Sequence, residues 1–383
     1  MNSLAIKGSS MTFPLPAADP ADLGLDPRRL NRLCQLIEEH IAQGLHPGAQ
    51  VAVARSGKLA LFRSFGNALL APEPVPTDHR TLFLTYSNTK VITAAAIWSL
   101  VEDGRLRFDD YAATYLPGFA KHRKGDITIT HLLTHQAGFP NAPVPLALAS
   151  DHAALLEHVC NIKPEWPAGS RVHYHSASAH WVLAMIIEAI TGMDYRDFIK
   201  TAIIAPLGLE DELVLEVKGP YLERCADMHG PDGKTPLVEE CSPAYRAAGR
   251  PGGGAHATAR AMAAFYQMLL QGGWLGDVHL LSPRMITYAT RNFTGERVDM
   301  LLGYPPHRAL GPSMRGTTDF HPGHGALAHP GTLGHGGAGS SYCWGDPDSG
   351  VSFAFLSNAR LEDDVHDPRM ELLSNIVHAS IIE

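Results

Sequence analysis

The segment at residues 81–101 constrains the fold of this chain more than any other. It opens with an apolar stretch that ends at Tyr86, continues with four polar residues, and then runs almost without interruption through apolar side chains to Val101. A helix that is apolar on nearly every face is stable when other parts of the chain surround it. The segment therefore predicts a buried central helix that begins beside the polar residues 87–90.

Two of those polar residues carry chemistry. Because residues three apart share one face of a helix, the Ser87 hydroxyl and the Lys90 amine are expected to lie side by side. Burial favours the neutral form of the amine, and a serine hydroxyl becomes a nucleophile when a neighbouring base takes its proton. The alternative is that Ser87 only caps the helix and Lys90 is a solvated residue of the first turn. Among nine lysines, Lys90 alone has a serine three residues before it.

The composition is typical of a globular protein and argues against several classes of function. The chain has 383 residues, of which 45% are hydrophobic and 18% are charged, enough for one large domain or two that share a cleft. A net charge of −8 argues against nucleic acid or an anionic membrane as the main partner. The five cysteines are scattered without a C-x-x-C pattern, which argues against a zinc knuckle and a disulfide framework. The N-terminus lacks a signal-like apolar core and the chain lacks a long apolar window, which predicts a cytoplasmic location.

Helix and strand signals follow one another in an order typical of an α+β protein. A helix is predicted over residues 26–44, and two strands with a tight turn between them over 48–70. The middle of the chain is mainly helical and includes a short helix over 127–139. Two strands around a strong turn signal are predicted over 334–358, and a final helix over 369–382.

These elements predict an antiparallel β-sheet flanked by helices, with an inserted, mainly helical lobe and the active site in the cleft between them. An N-terminal arm is expected over residues 1–24. The lobe that contains the sheet is assigned to residues 25–110 and 290–383, because strands from both ends of the chain can pair in one sheet. The helical lobe is assigned to residues 111–289.

Three short patterns follow one another along the chain, and they are Ser87-x-x-Lys90, Tyr174-x-Ser176 and His335-Gly336-Gly337. Together with the sequence blocks around them, which span most of residues 48–360, they resemble the serine β-lactamase and penicillin-binding-protein superfamily. The resemblance is to the class C β-lactamase-like branch, which includes the family VIII carboxylesterases. It implies that the predicted α+β fold is of the β-lactamase/transpeptidase type.

The resemblance implies a covalent mechanism at Ser87. Its Oγ would attack an acyl carbonyl and form an acyl-enzyme, which splits one difficult step into two easier ones. Either Lys90, kept partly neutral by burial, or Tyr174, kept partly ionised by a neighbouring ammonium, would accept the proton. The sequence leaves open which of the two is the base. Tyr174 also suits delivery of a proton to the leaving group.

The resemblance also implies the groups around the substrate. The oxyanion hole is expected to consist of the backbone N–H groups of Ser87 and Ala338. Gly336 and Gly337 are expected to bind substrate, because a substrate can lie close against a strand that lacks a Cβ. Ser176 corresponds to a family position that is more often Asn, and it is expected to hydrogen-bond the motif lysine or the substrate.

The main departure from the family pattern is His335, which stands where β-lactamases usually have lysine. A lysine there is a permanent cation that attracts a carboxylate, whereas histidine is mostly neutral at pH 7. The sequence therefore favours a carboxylesterase for small or medium acyl esters over a β-lactamase, a D-amino-acid peptidase or an amidase. The expected partner is a small-molecule ester, amide or lactam, without a cofactor. Transfer of the acyl group to an alcohol or amine uses the same acyl-enzyme, and the sequence does not separate it from hydrolysis.

Other classes of function fit the sequence less well. Several histidines could suggest a metal site, and these are His173, His175, His180, His321, His324, His329 and His335. Their spacing matches no ligand pattern such as H-E-x-x-H, so structural or loop histidines are expected and no metal. The chain contains no G-x-S-x-G, which argues against an α/β-hydrolase. A catalytically silent binding module of the same fold is disfavoured, because all three catalytic positions keep competent residue types. The oligomeric state is left open.

Overall fold

A computed structural model describes residues 13–319 and 322–383 of the chain. The first twelve residues of the N-terminal arm expected over residues 1–24 lie outside the described residues. The helices are α1 (Pro27–Ala42), α2 (Thr89–Glu102), α3 (Ala112–Tyr115), α4 (Ile129–Leu133), α5 (His152–Asn161), α6 (Ser178–Thr191), α7 (Tyr195–Ile199), α8 (Val238–Cys241), α9 (Pro243–Ala248), α10 (Ala259–Leu270), α11 (Pro283–Ala289) and α12 (Asp363–Ala379). The strands are β1 (Gly48–Arg55), β2 (Lys58–Leu69), β3 (Val75–Pro76), β4 (Phe83–Leu84), β5 (Leu213–Val214), β6 (His256–Ala257), β7 (Trp274–Leu275), β8 (Val278–His279), β9 (Ser313–Met314), β10 (Leu333–Gly337), β11 (Ser341–Asp346) and β12 (Val351–Ser357).

The main sheet joins the two ends of the chain. Its seven strands lie in the order β3-β2-β1-β12-β11-β10-β9, and each neighbouring pair is antiparallel. At its centre β1 pairs with β12, with Val51 opposite Phe355. The predicted fold class is confirmed: an antiparallel sheet flanked by helices.

The turn of the first hairpin forms where the sequence predicts it. Ser56 and Gly57 join β1 to β2 with φ angles of 51° and 74°. Two-residue turns with positive φ at both positions match the right-handed twist of the flanking strands. The turn therefore fixes the register of β1 and β2.

The prediction of two strands over residues 334–358 misses one strand. The chain turns twice in this segment, and β10, β11 and β12 result. The first turn lies at residues 338–340, where Ala338 and Gly339 have φ angles of 22° and 70°. Ala338 lacks the local preference for this region that glycine has, so its turn is imposed by the packing around it.

The predicted central helix is α2, and it is buried as expected. All its residues from Thr89 to Trp98 are buried, together with Leu100. A single turn of 3₁₀ helix at Tyr86–Asn88 precedes it, so Ser87 lies just ahead of α2. Of the helices in the described part of the chain, none combines the length and apolarity that a bilayer crossing requires.

Two predicted helix boundaries are wrong. The helix expected over residues 127–139 is reduced to α4, which ends at Leu133. His135 and Gly138 have φ angles of 59° and 88°, and a helix cannot continue through residues in this region. The final helix begins at Asp363 instead of Arg369, and Pro368 lies inside it.

Helix α10 belongs to the span assigned to the helical lobe, yet it packs on the sheet. Gln267 of α10 is fully buried, and its side-chain oxygen accepts a hydrogen bond from Gly57 N–H at 2.8 Å. Its amide nitrogen donates to the Ala54 carbonyl at 3.1 Å and to Ser352 Oγ at 3.0 Å. One side chain thus joins α10 to β1, β12 and the first hairpin turn. The division into lobes stays a prediction.

We expect Gln267→Ala to lower the free energy of unfolding by about 2–4 kcal/mol, because it leaves several buried polar groups without partners. Gln271→Ala is the matched control, since this glutamine lies one turn later and is half-buried. The control is expected to cost less than about 1 kcal/mol. Urea unfolding followed by circular dichroism measures both values, and equal losses would contradict the bridging role of Gln267.

Candidate active site

A strained turn places Ser87 ahead of α2. Tyr86 has a φ of 43°, in the left-handed region that a non-glycine residue rarely adopts. Ser87 beside it is half-buried among buried neighbours. The Asn88 side-chain amide donates to the Thr85 carbonyl at 3.1 Å and to Ser341 Oγ at 3.0 Å, so the turn is bonded to β11. Strain that the surrounding structure holds in place is typical of a functional site.

The structure brings Ser87 and Lys90 together as their spacing predicts. Lys90 Nζ lies 3.0 Å from Ser87 Oγ and donates to the carbonyls of Ser176 at 2.8 Å and Gly252 at 2.6 Å. A neutral amine has two hydrogens and one lone pair. Because the two carbonyls accept the two hydrogens, the lone pair is directed at the Ser87 hydroxyl.

The surroundings of Lys90 favour this neutral form. The amine is fully buried, and its desolvation lowers the pKa of Lys90 well below the ordinary lysine value. The positive charges of Arg250 and Arg308 lower that pKa further. Lys90 is therefore disposed to accept a proton from Ser87.

Tyr174 approaches Ser87 from the other side. Its hydroxyl lies 2.8 Å from Ser87 Oγ. Desolvation raises the pKa of Tyr174 to about 12, although the hydrogen bond with Ser87 and the charge of Arg308 oppose the rise. The phenol is protonated near neutral pH as a result, and Lys90, Ser87 and Tyr174 form a continuous hydrogen-bonded chain.

Ser176 contacts Lys90 through its main chain. The acceptor is the Ser176 carbonyl, and the residue itself is exposed. This contact is made by a group that every residue type carries, so the predicted role of the Ser176 side chain stays a prediction. The side chain at this position is thus free to differ from the more common Asn.

His335 of β10 is buried. The residue is 5% exposed, and its Nδ1–H donates to the Gly336 carbonyl at 2.7 Å. Burial lowers the pKa of His335 well below the ordinary histidine value, and the charge of Arg308 adds to this effect. The ring, whose centroid lies 6.0 Å from that of Tyr174, is therefore neutral. Its predicted role in substrate binding stays a prediction.

The packing of the protein itself requires a glycine at position 337 of the third motif. A Cβ added to Gly337 would collide with the Thr85 carbonyl oxygen and with Ser341 Oγ, and one added to Gly336 would lie 3.1 Å from the Tyr342 ring. Close packing of β10 against the Ser87 turn thus accounts for Gly337 without any substrate. Ala338, whose N–H is the second predicted oxyanion donor, follows directly after this contact.

Four residues of the site were not predicted from the sequence. Gly252 supplies a main-chain carbonyl to Lys90, and the run of glycines at 252–254 gives no signal of this contact. Arg250 and Arg308 place positive charge near Lys90, and Asp299 accepts a hydrogen bond from the Tyr174 N–H at 3.1 Å. These residues stand in no recognisable motif, so no sequence signal could have found them.

Among the described residues, the histidines that were weighed as possible metal ligands do not form a group close enough to share an ion. His321 lies outside the described residues. A group of side chains close enough to share an ion consists of His152, Glu188 and Asp194. Arg196 already donates to Asp194 Oδ2 at 2.5 Å and lies 3.0 Å from His152 Nε2. A guanidinium occupies the position that a cation would take there.

We expect Gly337→Ala to lower kcat by about 100-fold or more, because the added Cβ moves β10 and the Ala338 N–H away from Ser87, and one lost oxyanion donor has an effect of this size. Gly125→Ala is the control, since a Cβ there meets its nearest atom at 3.9 Å. Initial rates of ester hydrolysis and a thermal melt of each variant check this expectation. An unchanged rate in folded Gly337→Ala would contradict it.

Ser176→Ala is expected to leave kcat/KM within about twofold of the wild type, because the contact to Lys90 comes from the backbone. The measurement is the rate of ester hydrolysis over a range of substrate concentrations. A tenfold fall would show instead that the hydroxyl takes part in the reaction.

The comparison with protein families agrees with this geometry. A model of the Beta-lactamase family matches residues 33–375. An Escherichia coli O157:H7 protein with the provisional name D-alanyl-D-alanine carboxypeptidase is 28% identical, over 94% of this chain and 89% of its own length.

Two solved structures share the fold. A penicillin-binding-protein homologue from Caulobacter crescentus has a TM-score of 0.78 and 28% identity, over 93% of this chain and 99% of its own. A family VIII carboxylesterase has a TM-score of 0.78 and 22% identity, over 93% of this chain and 98% of its own. With a family model that spans most of its length, the chain belongs to the Beta-lactamase family and is a serine hydrolase.

Proposed function

We propose that the protein is a carboxylesterase that hydrolyses small or medium acyl esters through an acyl-enzyme on Ser87. The observation that carries this proposal is the pair of contacts to Ser87 Oγ, from Lys90 Nζ at 3.0 Å and from the Tyr174 hydroxyl at 2.8 Å. One partner is disposed to accept a proton and the other holds one. A serine with both at hydrogen-bonding distance is equipped for both proton transfers of an acyl transfer.

In acylation, the neutral Lys90 amine takes the Ser87 proton while Ser87 Oγ attacks the acyl carbonyl carbon. The carbonyl oxygen becomes an oxyanion, and the backbone N–H groups of Ser87 and Ala338 donate hydrogen bonds to it. When the bond to the alcohol oxygen breaks, Tyr174 gives its proton to the departing oxygen. The Lys90 ammonium then replaces that proton on Tyr174, so the site returns to its starting charge.

In deacylation, a water molecule takes the place of the alcohol. Its proton passes to Tyr174 and on to Lys90, its oxygen bonds to the acyl carbon, and the bond to Ser87 Oγ breaks. Ser87 recovers its proton from Lys90, and the carboxylic acid leaves. An alcohol or amine in place of water would give acyl transfer through the same intermediate.

The neutral His335 supports an uncharged substrate. A lysine at this position would attract a carboxylate, whereas a buried neutral imidazole does not. The solved structure of a family VIII carboxylesterase has the same fold, which is compatible with ester hydrolysis. A cytoplasmic location, where small esters rather than peptidoglycan are met, stays a prediction.

A peptidase that acts on a terminal carboxylate is the second candidate. Its support is Arg250, a half-buried guanidinium close enough to Lys90 for its charge to lower the pKa of that amine. A guanidinium near the nucleophile suits recognition of a carboxylate. The relative named for D-alanyl-D-alanine carboxypeptidase activity points the same way.

The experiment that tests the proposal compares p-nitrophenyl acetate, butyrate and octanoate with nitrocefin and with a peptide that ends in D-alanyl-D-alanine. Ser87→Ala is expected to lower kcat for the esters by about 10³-fold or more, as removal of a covalent nucleophile does. Ser150→Ala is the control, because this serine is exposed and its hydroxyl donates to the Ala147 carbonyl of its own turn.

Ester turnover that depends on Ser87 and exceeds turnover of nitrocefin and the peptide would support the carboxylesterase. Faster cleavage of the peptide or of nitrocefin would favour the second candidate or a β-lactamase. Ester hydrolysis that survives in Ser87→Ala would overturn the mechanism. A covalent acyl adduct on Ser87, detected by mass spectrometry after rapid quenching, distinguishes a slow enzyme from an inactive one.

The rate is expected to depend on pH through Lys90. The amine acts as a base only when it is neutral, and burial lowers the pKa of Lys90. Activity should therefore be present above this lowered pKa and be lost as the pH falls through it. The dependence of kcat/KM on pH, measured from about pH 5 to pH 10 with p-nitrophenyl acetate, checks this expectation. A rate that rises only near the pKa of a free lysine would contradict the neutral amine.

A further inference from the structure

Arg308 is a buried cation that the mechanism above does not use. Its side chain is 4% exposed, and its Nη2 lies 3.8 Å from Oδ2 of the fully buried Asp299. Within the described residues, neither Arg308 Nε nor Asp299 Oδ2 has a hydrogen-bond partner. Two buried charges at this distance, with unfilled hydrogen-bonding positions, recover little of their desolvation cost. The ion pair is therefore weak evidence that Arg308 serves the stability of the fold.

The pair holds Tyr174 at both its backbone and its ring. Asp299 Oδ1 accepts the Tyr174 N–H at 3.1 Å and the N–H groups of Leu301 at 3.0 Å and Leu302 at 3.4 Å. The Arg308 guanidinium carbon lies 5.1 Å from the centroid of the Tyr174 ring. This is a cation–π distance, so the guanidinium packs on the ring whose hydroxyl contacts Ser87.

Arg308 itself is anchored independently of the site. Its backbone N–H donates to Thr294 Oγ1 at 2.9 Å, and an isolated bridge pairs it with Ser313 at the start of β9. The guanidinium is thus held by a segment that contains none of the motif residues.

Three titratable groups face the Tyr174 ring in addition to Asp299 and Arg308. Lys90 Nζ lies 5.1 Å from the ring centroid, and the ring centroids of His135 and His335 lie 4.6 Å and 6.0 Å from it. Burial lowers the pKa values of both histidines well below the ordinary range, and burial lowers that of Lys90 also. Guanidinium groups stay protonated in proteins. Among the described residues that face Tyr174, Arg308 is therefore the positive charge that persists when Lys90 is neutral.

We propose that Arg308 is a positioning residue that, with Asp299, fixes Tyr174 against Ser87 and supplies the permanent positive charge that His335 does not. The inference rests on the proposed acyl-enzyme mechanism, because it gives Arg308 a function through Tyr174 and Lys90. The charge acts on both proton carriers in the same direction. It lowers the pKa of Tyr174, where its effect outweighs the opposing effect of Asp299, and it lowers the pKa of Lys90.

The test compares Arg308→Gln, which removes the charge, with Arg308→Lys, which keeps it. Without the charge, Lys90 and Tyr174 hold their protons more strongly. We expect Arg308→Gln to lower kcat for p-nitrophenyl acetate by about 100-fold, with KM changed by less than about threefold, as loss of support for general acid–base catalysis predicts. The acid limb of its kcat/KM profile, which is the range in which activity falls as the pH decreases, should move to higher pH. Arg308→Lys should return that limb towards the wild-type position.

Arg291→Gln is the matched control. This arginine is exposed, and its guanidinium carbon lies 5.0 Å from the centroid of the Tyr288 ring. The variant therefore also loses a cation–π contact, but one that does not involve Tyr174. Its kcat and pH profile should match those of the wild type. If Arg308→Gln does not fold, the comparison of Arg308→Lys with Asp299→Asn decides, because Asp299→Asn removes the opposing negative charge and should move the acid limb to lower pH.

Ser87→Ala in the same series separates the two proposals. An inactive Ser87→Ala, together with an Arg308→Gln variant whose pH profile and kcat equal those of the wild type, would overturn the role of Arg308 and leave the acyl-enzyme in place. Activity in Ser87→Ala would overturn both. Arg308→Gln and Arg308→Lys could instead both lower kcat and leave the acid limb of the pH profile where it is in the wild type. That result would show that Arg308 has only a structural role, and it would contradict the inference.

Discussion

The site depends on the burial of one amine between three distant segments of the chain. Lys90 lies at the start of α2, and its two carbonyl partners come from Ser176 ahead of α6 and Gly252 ahead of α10. Taking an ammonium out of water costs several kcal/mol, and a group in this position relieves the cost by losing its proton. The helices that meet here must therefore hold a neutral amine, and that constraint links the packing of the core to the chemistry of Ser87.

The chemical nature of the neighbours decides which form of Lys90 is stable. A carboxylate at hydrogen-bonding distance would keep the ammonium charged, as in an ordinary buried ion pair. The groups in contact with Lys90 Nζ are instead a hydroxyl and two carbonyls, and the charges that act on it are the guanidiniums of Arg250 and Arg308. Hydrogen bonds fix the direction of the amine, and like charges discourage its protonation. The two effects together yield an oriented lone pair.

The sequence predicts those parts of the molecule whose causes are local. The first hairpin turn and the burial of α2 follow from residues that are adjacent or one helical turn apart, as does the meeting of Ser87 with Lys90. The turn at Ala338 and the early end of α4 depend on backbone conformations that distant packing imposes, and no residue preference announces them. The two carbonyls that accept hydrogen bonds from Lys90 belong to the main chain, and because every residue has such a carbonyl, the sequence cannot indicate which ones are used. The sequence likewise gives no signal that Arg308 contacts Tyr174, because only the fold brings the two residues together.

The placement of charge also bears on the choice of substrate. A lysine on the third motif would serve two purposes at once, since it would attract an anionic substrate and would stabilise the anionic form of the neighbouring tyrosine. Here β10 carries the neutral His335, and the permanent charge stands behind Tyr174 on Arg308, whose side chain is 4% exposed. A cation withdrawn from solvent in this way acts on the proton carriers but offers little to a carboxylate. On the proposed mechanism, the two purposes are separated, and the proton transfers keep their electrostatic support while the strand that faces the substrate becomes neutral. That separation suits a hydrolase of uncharged esters, and it makes Arg250, the more exposed of the two guanidiniums, the group on which any preference for anionic substrates would depend.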